Sequence, residues 1–323
     1  MKIRQSLTIG VIIVAYDSGA VIVDCLESLF SAPDADLRVV IVDNASTDDV
    51  ISIIRSAGVD AERMDCEAPP RLLLQDRPVV LRSDQNLGFA GGVNLGLEFL
   101  RKHEEVDLFW ILNPDTIVAK NTPVAIAAGA KENPDFDVMG GRICYFAEPN
   151  IIQNDGGRVN FWTGACQPVN MFREADKTST PPAQSLDYIS GAHIVVSRGF
   201  LAKAGLMPER YFLYYEETDW CLTLPDRKLV FLADAVAYHH GGTSIGSATI
   251  DRSASPLSSY FMARSRLKFV RKFRPFALPI AMGFNLLKAA QSVLRGDIAE
   301  ATANLRGSFG LPPTASIKAK IRV

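Results

Sequence analysis

The chain has 323 residues, of which 48% are hydrophobic and 22% are charged; this composition excludes an intrinsically disordered protein and allows a sizeable core. The formal net charge is −2, but residues 252–323 carry +11 and residues 1–251 carry −13. Five cysteines without a CxxC pair disfavour a disulfide framework or a zinc site. The first residues lack the apolar region and cleavage site of a signal peptide, so we expect a cytoplasmic protein.

The beginning of the chain alternates predicted strands with predicted helices. Leu7–Ala15 is continuously apolar and β-branched, as in a strand covered on both faces. A helical apolar pattern follows over Ala20–Phe30, and Arg38–Val42 is a second buried strand. Ser46 or Thr47 is the expected N-cap of the next helix. This alternation predicts parallel strands joined by right-handed crossovers.

A glycine-rich turn separates two further predicted strands. Residues 57–78 have no clear period and are interpreted as an irregular crossover. A third strand, Pro78–Arg82, leads into the turn around Gly88, and a helix over Val93–Lys102 precedes a fourth strand, Phe109–Leu112. Glycines at a helix start let the backbone approach an anion closely. The GxGxxG spacing is absent, which disfavours a nicotinamide-dinucleotide site.

The fourth strand ends abruptly in the sequence NPDT. Because proline cannot donate to a strand ladder and favours extended geometry before it, Asn113 should be the last extended residue and Asp115 should lie in the turn. The first, second and fourth strands thus end near Asp17, Asp43 and Asp115, at the edge where α/β sheets bind ligands. Asp115 suits a divalent metal on a diphosphate; taken alone, it also suits an ordinary Asx-turn.

The second half of the chain is less regular up to residue 187. Tyr188–Ser197 is a predicted strand, and Arg198–Ala204 is a short helix that ends at Gly205. Within the strand, Gly191 and Ala192 are small enough to line a pocket wall or to pack closely in a core.

An acidic cluster follows four aromatic residues. Glu216, Glu217 and Asp219 are close enough to raise one another's pKa if they are partly buried, which suits a general base. The alternative is an acidic helix start that interacts with the helix dipole. Leu229–Tyr238 is another apolar strand and leads to His239, which suits either a metal ligand or a structural role.

The order of these motifs resembles that of family 2 glycosyltransferases over roughly Leu7 to Arg274. The motifs are AYD (15–17), VDNASTDD (42–49), NLGFAGGVN (86–94), LNPDT (112–116), SGA (190–192), EETDWC (216–221) and HHGG (239–242). Within the family the pattern looks most like the bacterial rhamnosyltransferase branch. The resemblance implies an α/β nucleotide-diphospho-sugar transferase fold of the GT-A type, with a mostly parallel central sheet flanked by helices. It also implies inverting chemistry and a Mg²⁺ or Mn²⁺ ion.

By position, the resemblance assigns a role to each candidate residue. Glu217 matches the catalytic base, and Asp115 and His239 match metal-binding positions. The positions that match nucleotide-binding residues are Ala15, Tyr16, Asp17, Asp43, Asn86, Gly88, Phe89, Asn113 and Asp115. The positions on the acceptor side are Gly191, Ala192, Glu216, Asp219 and Trp220.

Three positions depart from the family's pattern. Asp17 stands where asparagine is frequent, and Glu217 stands where aspartate is usual. After Cys221 the chain reads LTLP where an arginine-rich continuation is common. The longer Glu217 side chain keeps a carboxylate at the base position but shifts it by about one methylene.

The last part of the chain is basic and partly apolar. Aromatic and cationic residues alternate over Ser259–Arg274, and the apolar run Phe276–Leu287 that follows is too short to span a bilayer. This region either binds an anionic membrane surface or packs on the body with its basic faces in solvent. No nucleic-acid recognition motif is present.

We therefore expect a catalytic domain over residues 1–251 and a basic helical region over residues 252–323. Residues up to about 120 should bind the nucleotide, and residues from about 121 to 251 should form the acceptor side. The expected reaction transfers L-rhamnose from dTDP-L-rhamnose to a lipid-linked or polysaccharide acceptor at the inner face of the cytoplasmic membrane. The alternatives are a UDP-hexose or UDP-galactofuranose transferase of the same fold and a non-catalytic nucleotide-sugar-binding subunit.

Overall fold

The computed structural model describes residues 7–32, 34–69, 71–241 and 254–322. These residues form twelve strands: β1 (Thr8–Ala15), β2 (Asp36–Asn44), β3 (Glu62–Met64), β4 (Val79–Ser83), β5 (Leu108–Leu112), β6 (Thr116–Val118), β7 (Val138–Tyr145), β8 (Ile152–Asn154), β9 (Gly157–Asn160), β10 (Ala165–Pro168), β11 (His193–Ser197) and β12 (Leu229–His239). The same residues form ten α-helices: α1 (Gly19–Phe30), α2 (Val50–Ser56), α3 (Gly88–Leu100), α4 (Thr122–Glu132), α5 (Arg198–Ala204), α6 (Glu216–Cys221), α7 (Pro256–Phe273), α8 (Leu278–Leu294), α9 (Ile298–Ser308) and α10 (Ala315–Ile321).

Ten of these strands form one mixed sheet. Its order is β3-β4-β2-β1-β5-β11-β7-β12-β6, and β8 pairs with β7 outside this path. All neighbours from β3 to β5 are parallel, whereas β11 is antiparallel to both β5 and β7. Strands β9 and β10 form a separate hairpin. The expected mostly parallel sheet, flanked by helices and followed by C-terminal helices, is confirmed.

The two faces of β1 enter two different apolar cores. Ile12 and Val14 belong to the cluster that includes residues of α3, while Val11 and Ile13 belong to the cluster that includes residues of α1 and α2. All eight residues of β1 are buried, and each fully buried valine or isoleucine side chain contributes about 1.5–3 kcal/mol. Coverage on both faces explains why the strand is continuously apolar rather than alternating.

Helix α3 begins earlier than its sequence pattern indicated. The predicted helix, Val93–Lys102, omitted Gly88, Gly91 and Gly92, but the structure is helical from Gly88 to Leu100. A Cβ on Gly92 would lie 2.6 Å from Val14, and a Cβ on Gly96 would lie 2.6 Å from Ile12. The glycines therefore let α3 pack directly on β1, and they belong to the helix as well as to the turn before it.

The predicted N-cap of α2 was wrong. The Asp49 side chain caps the helix by accepting from the Ser52 N–H at 3.3 Å. The Ser46 N–H instead donates to Asp43 at 2.9 Å, and the Thr47 N–H donates to a carboxylate elsewhere in the fold. Both predicted caps thus hold the loop before α2 rather than starting the helix.

Two other predicted elements changed in length. The strand predicted over Tyr188–Ser197 begins only at His193, and the residues before His193 belong to the loop that precedes β11. The apolar run of the last region is longer than its sequence indicated. Pro275–Leu294 is a 20-residue helical stretch that contains an 18-residue segment with a mean hydropathy of 1.2, and 28% of that segment is buried. By length and composition alone, this stretch could cross a membrane.

Gly242 and the predicted boundary between residues 251 and 252 lie outside the described residues.

Candidate active site

A cavity of about 270 Å³ opens at the carboxyl ends of the parallel strands. Because β11 runs antiparallel to its neighbours, the loop that precedes it reaches the same edge of the sheet. Eleven residues singled out in the sequence line the cavity: Tyr16, Asn86, Gly88, Phe89, Asn113, Asp115, Gly191, Ala192, Glu216, Glu217 and His239. The cavity thus collects residues from both halves of the chain.

Asp115 and His239 meet because β6 pairs with β12. Thr116 lies opposite His239 in this ladder, so the preceding turn residue, Asp115, lies beside the imidazole. Its Oδ1 is 3.1 Å from His239 Nε2, and His239 Nδ1 is 2.7 Å from the Gln153 Oε1 on β8. An Nδ1–H donated to Gln153 leaves Nε2 as the unprotonated nitrogen that faces the carboxylate, which is the form that ligates a metal.

This pair fits one side of a divalent-cation site. The described residues contain no group of three or more histidine, cysteine or acidic side chains that could enclose a metal ion. Mg²⁺ at phosphate-binding sites usually takes only one or two carboxylates from the protein and keeps water and substrate phosphates as its other ligands. Asp115 and His239 therefore suit a cation shared with a bound diphosphate, rather than a closed structural site.

The two glutamates of the cavity follow a strained turn. Tyr214 and Tyr215 have φ angles of +67° and +75°, in a region that costs a bulky residue on the order of 1–3 kcal/mol. The Tyr214 hydroxyl is hydrogen-bonded to Ser258 on α7, and the Tyr215 hydroxyl donates to the Gly164 carbonyl at 2.5 Å. These contacts to α7 and to the β9–β10 hairpin hold the turn, which sets the start of α6 at the cavity.

Burial changes the acidity of both glutamates. Burial, and then the charge of Glu217, raises the pKa of Glu216. Burial also raises the pKa of Glu217, although hydrogen bonds from its own N–H and from Thr218 oppose the change. Oε2 of Glu216 is buried and has no hydrogen-bond partner among the residues that the structure describes. The pair therefore retains a proton at a higher pH than an exposed glutamate does, and it is suited to accepting a proton from a bound molecule.

The glycine-rich turn touches the loop that leads to these glutamates. Gly88 has a φ of +73°, and a Cβ at this position would lie 2.5 Å from the Phe212 carbonyl oxygen. The Phe89 N–H donates to the same oxygen at 3.1 Å. On the other side of the cavity, a Cβ on Gly191 would lie 3.4 Å from the Cγ of Glu217. Gly88 therefore leaves room that a side chain would fill where the two halves of the cavity meet, whereas a Cβ on Gly191 would make only an ordinary contact.

Five predicted site residues do not line the cavity: Ala15, Asp17, Asp43, Asp219 and Trp220. Asp219 is fully buried and accepts from the Tyr211 hydroxyl at 2.9 Å and from the Lys272 ammonium at 2.5 Å. The Trp220 Nε1–H donates to the Gly205 carbonyl at 3.1 Å. Asp219 and Trp220, which were predicted on the acceptor side, are thus placed where they anchor α6 to its neighbours.

Asp17 and Asp43 organise the loops next to the cavity. Asp43 accepts from the Ser46 N–H at 2.9 Å, and Asp17 accepts from the Thr47 N–H at 2.7 Å. Although burial acts in the opposite direction, the hydrogen bonds from Thr47 and the charge of Arg322 hold the pKa of Asp17 below its ordinary value. Ala15 is the last residue of β1 and is completely buried.

Several cavity residues were not predicted as site residues, although Asn44, Pro114 and Ser190 stand in the quoted motifs. They are Val14, Ser18, Asn44, Pro114, Ser190, Phe212, Leu213, Tyr214, Leu257, Lys320 and Ile321. Asn44 donates to Asn86 Oδ1 at 3.1 Å and to the Gly88 carbonyl at 3.0 Å, so it fixes the glycine-rich turn. Its place directly after Asp43 at a strand end was a usable signal. No sequence pattern pointed to Lys320 or Ile321.

The family model described as glycosyl transferase family 2 matches residues 10–179, which are more than half of the chain. The chain belongs to this family. A low-salt glycan biosynthesis hexosyltransferase, Agl10 of Haloferax volcanii, is 21% identical to this family 2 member over 227 residues. The aligned part covers 68% of the chain and 63% of Agl10, so the chain spans less than two thirds of that relative.

Solved structures share the fold of this family 2 member. GalNAc-T7 with UDP, GalNAc and Mn²⁺ has a TM-score of 0.60 at 15% identity, over 99% of this chain and 57% of that one. TarS 1-349 of S. aureus in complex with UDP-GlcNAc has a TM-score of 0.52 at 17% identity, over 94% and 93%. The mannosyltransferase PcManGT from Pyrobaculum calidifontis with GDP-Man and Mn²⁺ has a TM-score of 0.51 at 13% identity, over 93% and 86%. At these identities the likeness establishes the fold alone, and it confirms the expected GT-A type.

Proposed function

We propose that the chain is a metal-dependent, inverting glycosyltransferase that moves a sugar from a nucleoside diphosphate to an acceptor hydroxyl. The observation that carries this proposal is the single cavity shared by the buried glutamates, Glu216 and Glu217, and by the Asp115–His239 pair. The first pair suits proton acceptance, and the second suits a cation on a diphosphate. Family membership supports the same class of reaction, as do the nucleotide sugars bound by structural neighbours.

In the proposed reaction the acceptor oxygen attacks the anomeric carbon from the face opposite the diphosphate. The new carbon–oxygen bond forms while the bond to the departing nucleoside diphosphate breaks, and Glu217 takes the hydroxyl proton. Glu216 keeps a proton more readily than an exposed glutamate does, which limits charge repulsion beside the ionised base. A bound divalent cation would neutralise charge on the diphosphate; Asp115 and His239 would hold it, with Gln153 orienting the imidazole.

For the donor we propose dTDP-L-rhamnose, on the strength of the motif order in the sequence. A UDP-hexose or UDP-galactofuranose donor is the second candidate, because Agl10 is named a hexosyltransferase and two structural neighbours contain UDP or UDP-GlcNAc. A non-catalytic binding subunit is less well supported, because burying two adjacent carboxylates lowers stability and an inactive protein would gain nothing from it.

The acceptor is proposed to be lipid-linked or a polysaccharide at the inner face of the cytoplasmic membrane. Support comes from the Pro275–Leu294 stretch, whose exposed apolar side chains include Phe276, Ile280, Leu287 and Leu294. Phe276 also packs edge-on against the exposed Trp162. Residues 254–322 contain twelve lysines and arginines and two acidic residues. An apolar helix face in a basic region is suited to the surface of an anionic bilayer.

The proposed reaction is tested first by nucleotide binding. Thermal stability is measured with dTDP, UDP, GDP and ADP, each with and without Mn²⁺, because a ligand at 100 times its Kd stabilises the native state by about 2.7 kcal/mol. We expect a Mn²⁺-dependent shift with dTDP or UDP that Asp115→Ala removes and that the exposed control Asp234→Ala keeps. Glu217→Gln should keep the shift and lose turnover. No shift with any nucleotide would overturn the proposal.

The membrane part is tested separately by sedimentation with vesicles. The full chain should pellet with phosphatidylglycerol-containing vesicles and stay in solution with phosphatidylcholine alone. The double variant Ile280→Glu/Leu287→Glu should lose this binding, and Leu72→Glu, at a site that is 73% exposed on the body, should retain it. Equal binding by both variants would contradict the proposal. A dimer in sedimentation velocity that only Ile280→Glu/Leu287→Glu dissociates would assign the same face to a second copy of the chain.

A further inference from the structure

The last described helix lies on the edge of the cavity where the parallel strands end. We call α10 together with Arg322 the α10 strap (residues 315–322). The Tyr16 hydroxyl donates to the Lys320 carbonyl at 2.6 Å, and the Asn86 Nδ2 donates to the Ile321 carbonyl at 2.9 Å. Lys320 and Ile321 are therefore part of the cavity wall.

Arg322 adds a charged contact at the same place. Its guanidinium is 3.1 Å from the Asp17 carboxylate and lies 5.7 Å from the centre of the Tyr16 ring. Tyr16 and Asp17 follow β1, and Asn86 follows β4, so the strap engages groups at the strand ends, where α/β sheets bind their ligands. With the strap in place the cavity is about 270 Å³, which is slightly below the roughly 300–1,000 Å³ of typical ligand pockets.

The apolar attachment of the strap to the body consists of two side chains. Ile317 and Ile321 are buried in a small apolar cluster with Leu213, Leu257 and Tyr260, whereas Lys318 and Lys320 are exposed. Seven residues are too few for a helix that is stable by itself, so the position of α10 depends on these contacts. Short segments with few buried contacts open at a low free-energy cost.

We propose that the α10 strap occupies the nucleoside end of the donor site and competes with the nucleotide. This inference rests on the proposed function. A bound nucleoside would take over Tyr16, Asp17 and Asn86, the strap would leave them, and donor binding would be coupled to opening of α10. The apparent Kd then equals the intrinsic Kd divided by the fraction of molecules whose strap is open.

Hydrogen exchange on the full chain tests the competition directly. Backbone amides of α10 are followed with and without saturating dTDP or UDP and Mn²⁺, and those of α9 serve as the internal reference. We expect exchange in α10 to become faster when nucleotide binds, and exchange in α9 to stay unchanged. Slower exchange in α10 would mean that the strap closes over the nucleotide, and unchanged exchange would mean that the two do not meet; either result overturns the inference.

A point variant measures the size of the effect. Ile317→Ser weakens the anchor of the strap without changing a residue of the cavity wall. The matched control is Ile298→Ser, at an exposed isoleucine on α9. If the strap is closed in about 90% of molecules, its release should lower the nucleotide Kd about tenfold, as measured by calorimetry. Trypsin should also cleave at Lys318 and Lys320 faster in Ile317→Ser than in the control.

The outcomes separate this inference from the proposed function. Tighter binding by Ile317→Ser than by the wild type and by Ile298→Ser supports the strap. Equal or weaker binding by Ile317→Ser, with the wild type still binding nucleotide, overturns the strap and leaves the proposed function intact. Absence of nucleotide binding by all three proteins overturns both. Arg322→Ala, which removes the contact to Asp17, should tighten binding by a smaller factor.

Discussion

Replacement of Asp219 by asparagine separates an anchoring role from an acceptor-binding role. The carboxylate is fully buried, and it accepts from the Lys272 ammonium at 2.5 Å and from the Tyr211 hydroxyl at 2.9 Å. Asparagine keeps an acceptor for Tyr211 and removes the charge that pairs with Lys272 and, at 3.7 Å, with the Arg210 guanidinium. Breaking a buried ion pair from one side costs about 3–5 kcal/mol. The Lys272 side chain is 31% exposed and is partly rehydrated, so we expect a loss of about 2–3 kcal/mol.

The assay is urea unfolding followed by tryptophan fluorescence, combined with acceptor kinetics. Lys272→Met removes the nearer of the two cations, and the double variant completes a cycle whose coupling energy should be about 1–3 kcal/mol. For the folded protein, the KM for the acceptor should be unchanged by Asp219→Asn, because this side chain does not line the cavity. An unchanged free energy of unfolding together with a raised acceptor KM would refute this reasoning and restore Asp219 to the acceptor side.

Three further perturbations follow from the geometry of the site. Burial raises the pKa of Glu216, so the unfolded chain loses this proton at a lower pH than the folded chain does, and stability falls as the pH rises between the two pKa values. Glu216→Gln should therefore raise the Tm by an amount that grows from about pH 5 to about pH 8. A gain in Tm that is independent of pH would contradict this prediction. Gly88→Ala should lower the free energy of unfolding by about 1–2 kcal/mol because of its left-handed φ, and by a similar amount because of its close approach to a backbone carbonyl. In the control Gly58→Ala, the glycine has a φ of +88° and open space around it among the described residues, so only the first loss should appear in chemical denaturation. Equal losses in the two variants would mean that the close approach does not contribute to stability. Gln153→Ala should weaken Mn²⁺ binding about 10–100-fold, because it removes the hydrogen bond that orients the imidazole of His239. The affinity is measured by Mn²⁺ titration of the nucleotide-induced thermal shift. The control is Gln167→Ala, on the separate β9–β10 hairpin.

The first half of the fold was predictable because its signals are local. A continuous apolar strand such as β1 requires cover on both faces, and polar residues directly after it must lie at the sheet edge. The NPDT sequence likewise placed Asp115 in a turn, which is where the structure has it. These predictions needed no knowledge of distant contacts.

The rest of the site depends on contacts between residues far apart in sequence. Gln153 supports His239 across 86 positions, and Lys272 pairs with Asp219 across 53 positions. Neither partner has a periodic or compositional signal. The acidic cluster at the start of α6 showed that carboxylates were close together, but only the folded chain distinguishes Glu217, which lines the cavity, from Asp219, which does not.

The α10 strap was the least predictable part. The sequence of α10 is short and basic, which is also typical of a solvent-exposed helix. Its contact with Asn86 joins residues 235 positions apart, and no local rule anticipates such a pairing. For the basic C-terminal region, the sequence predicted either binding to a membrane surface or packing on the body. Neither alternative included a contact with the cavity.

The antiparallel strand β11 divides the sheet into two parts of different origin. The five strands on one side, β3, β4, β2, β1 and β5, come from residues before Asn113, and those on the other side come from residues after it. The cavity lies across this seam and is lined by residues from both sides. Because Gly88 on one side of the seam lies against the Phe212 carbonyl on the other, a chimera joined at the seam must preserve this contact to keep the cavity intact.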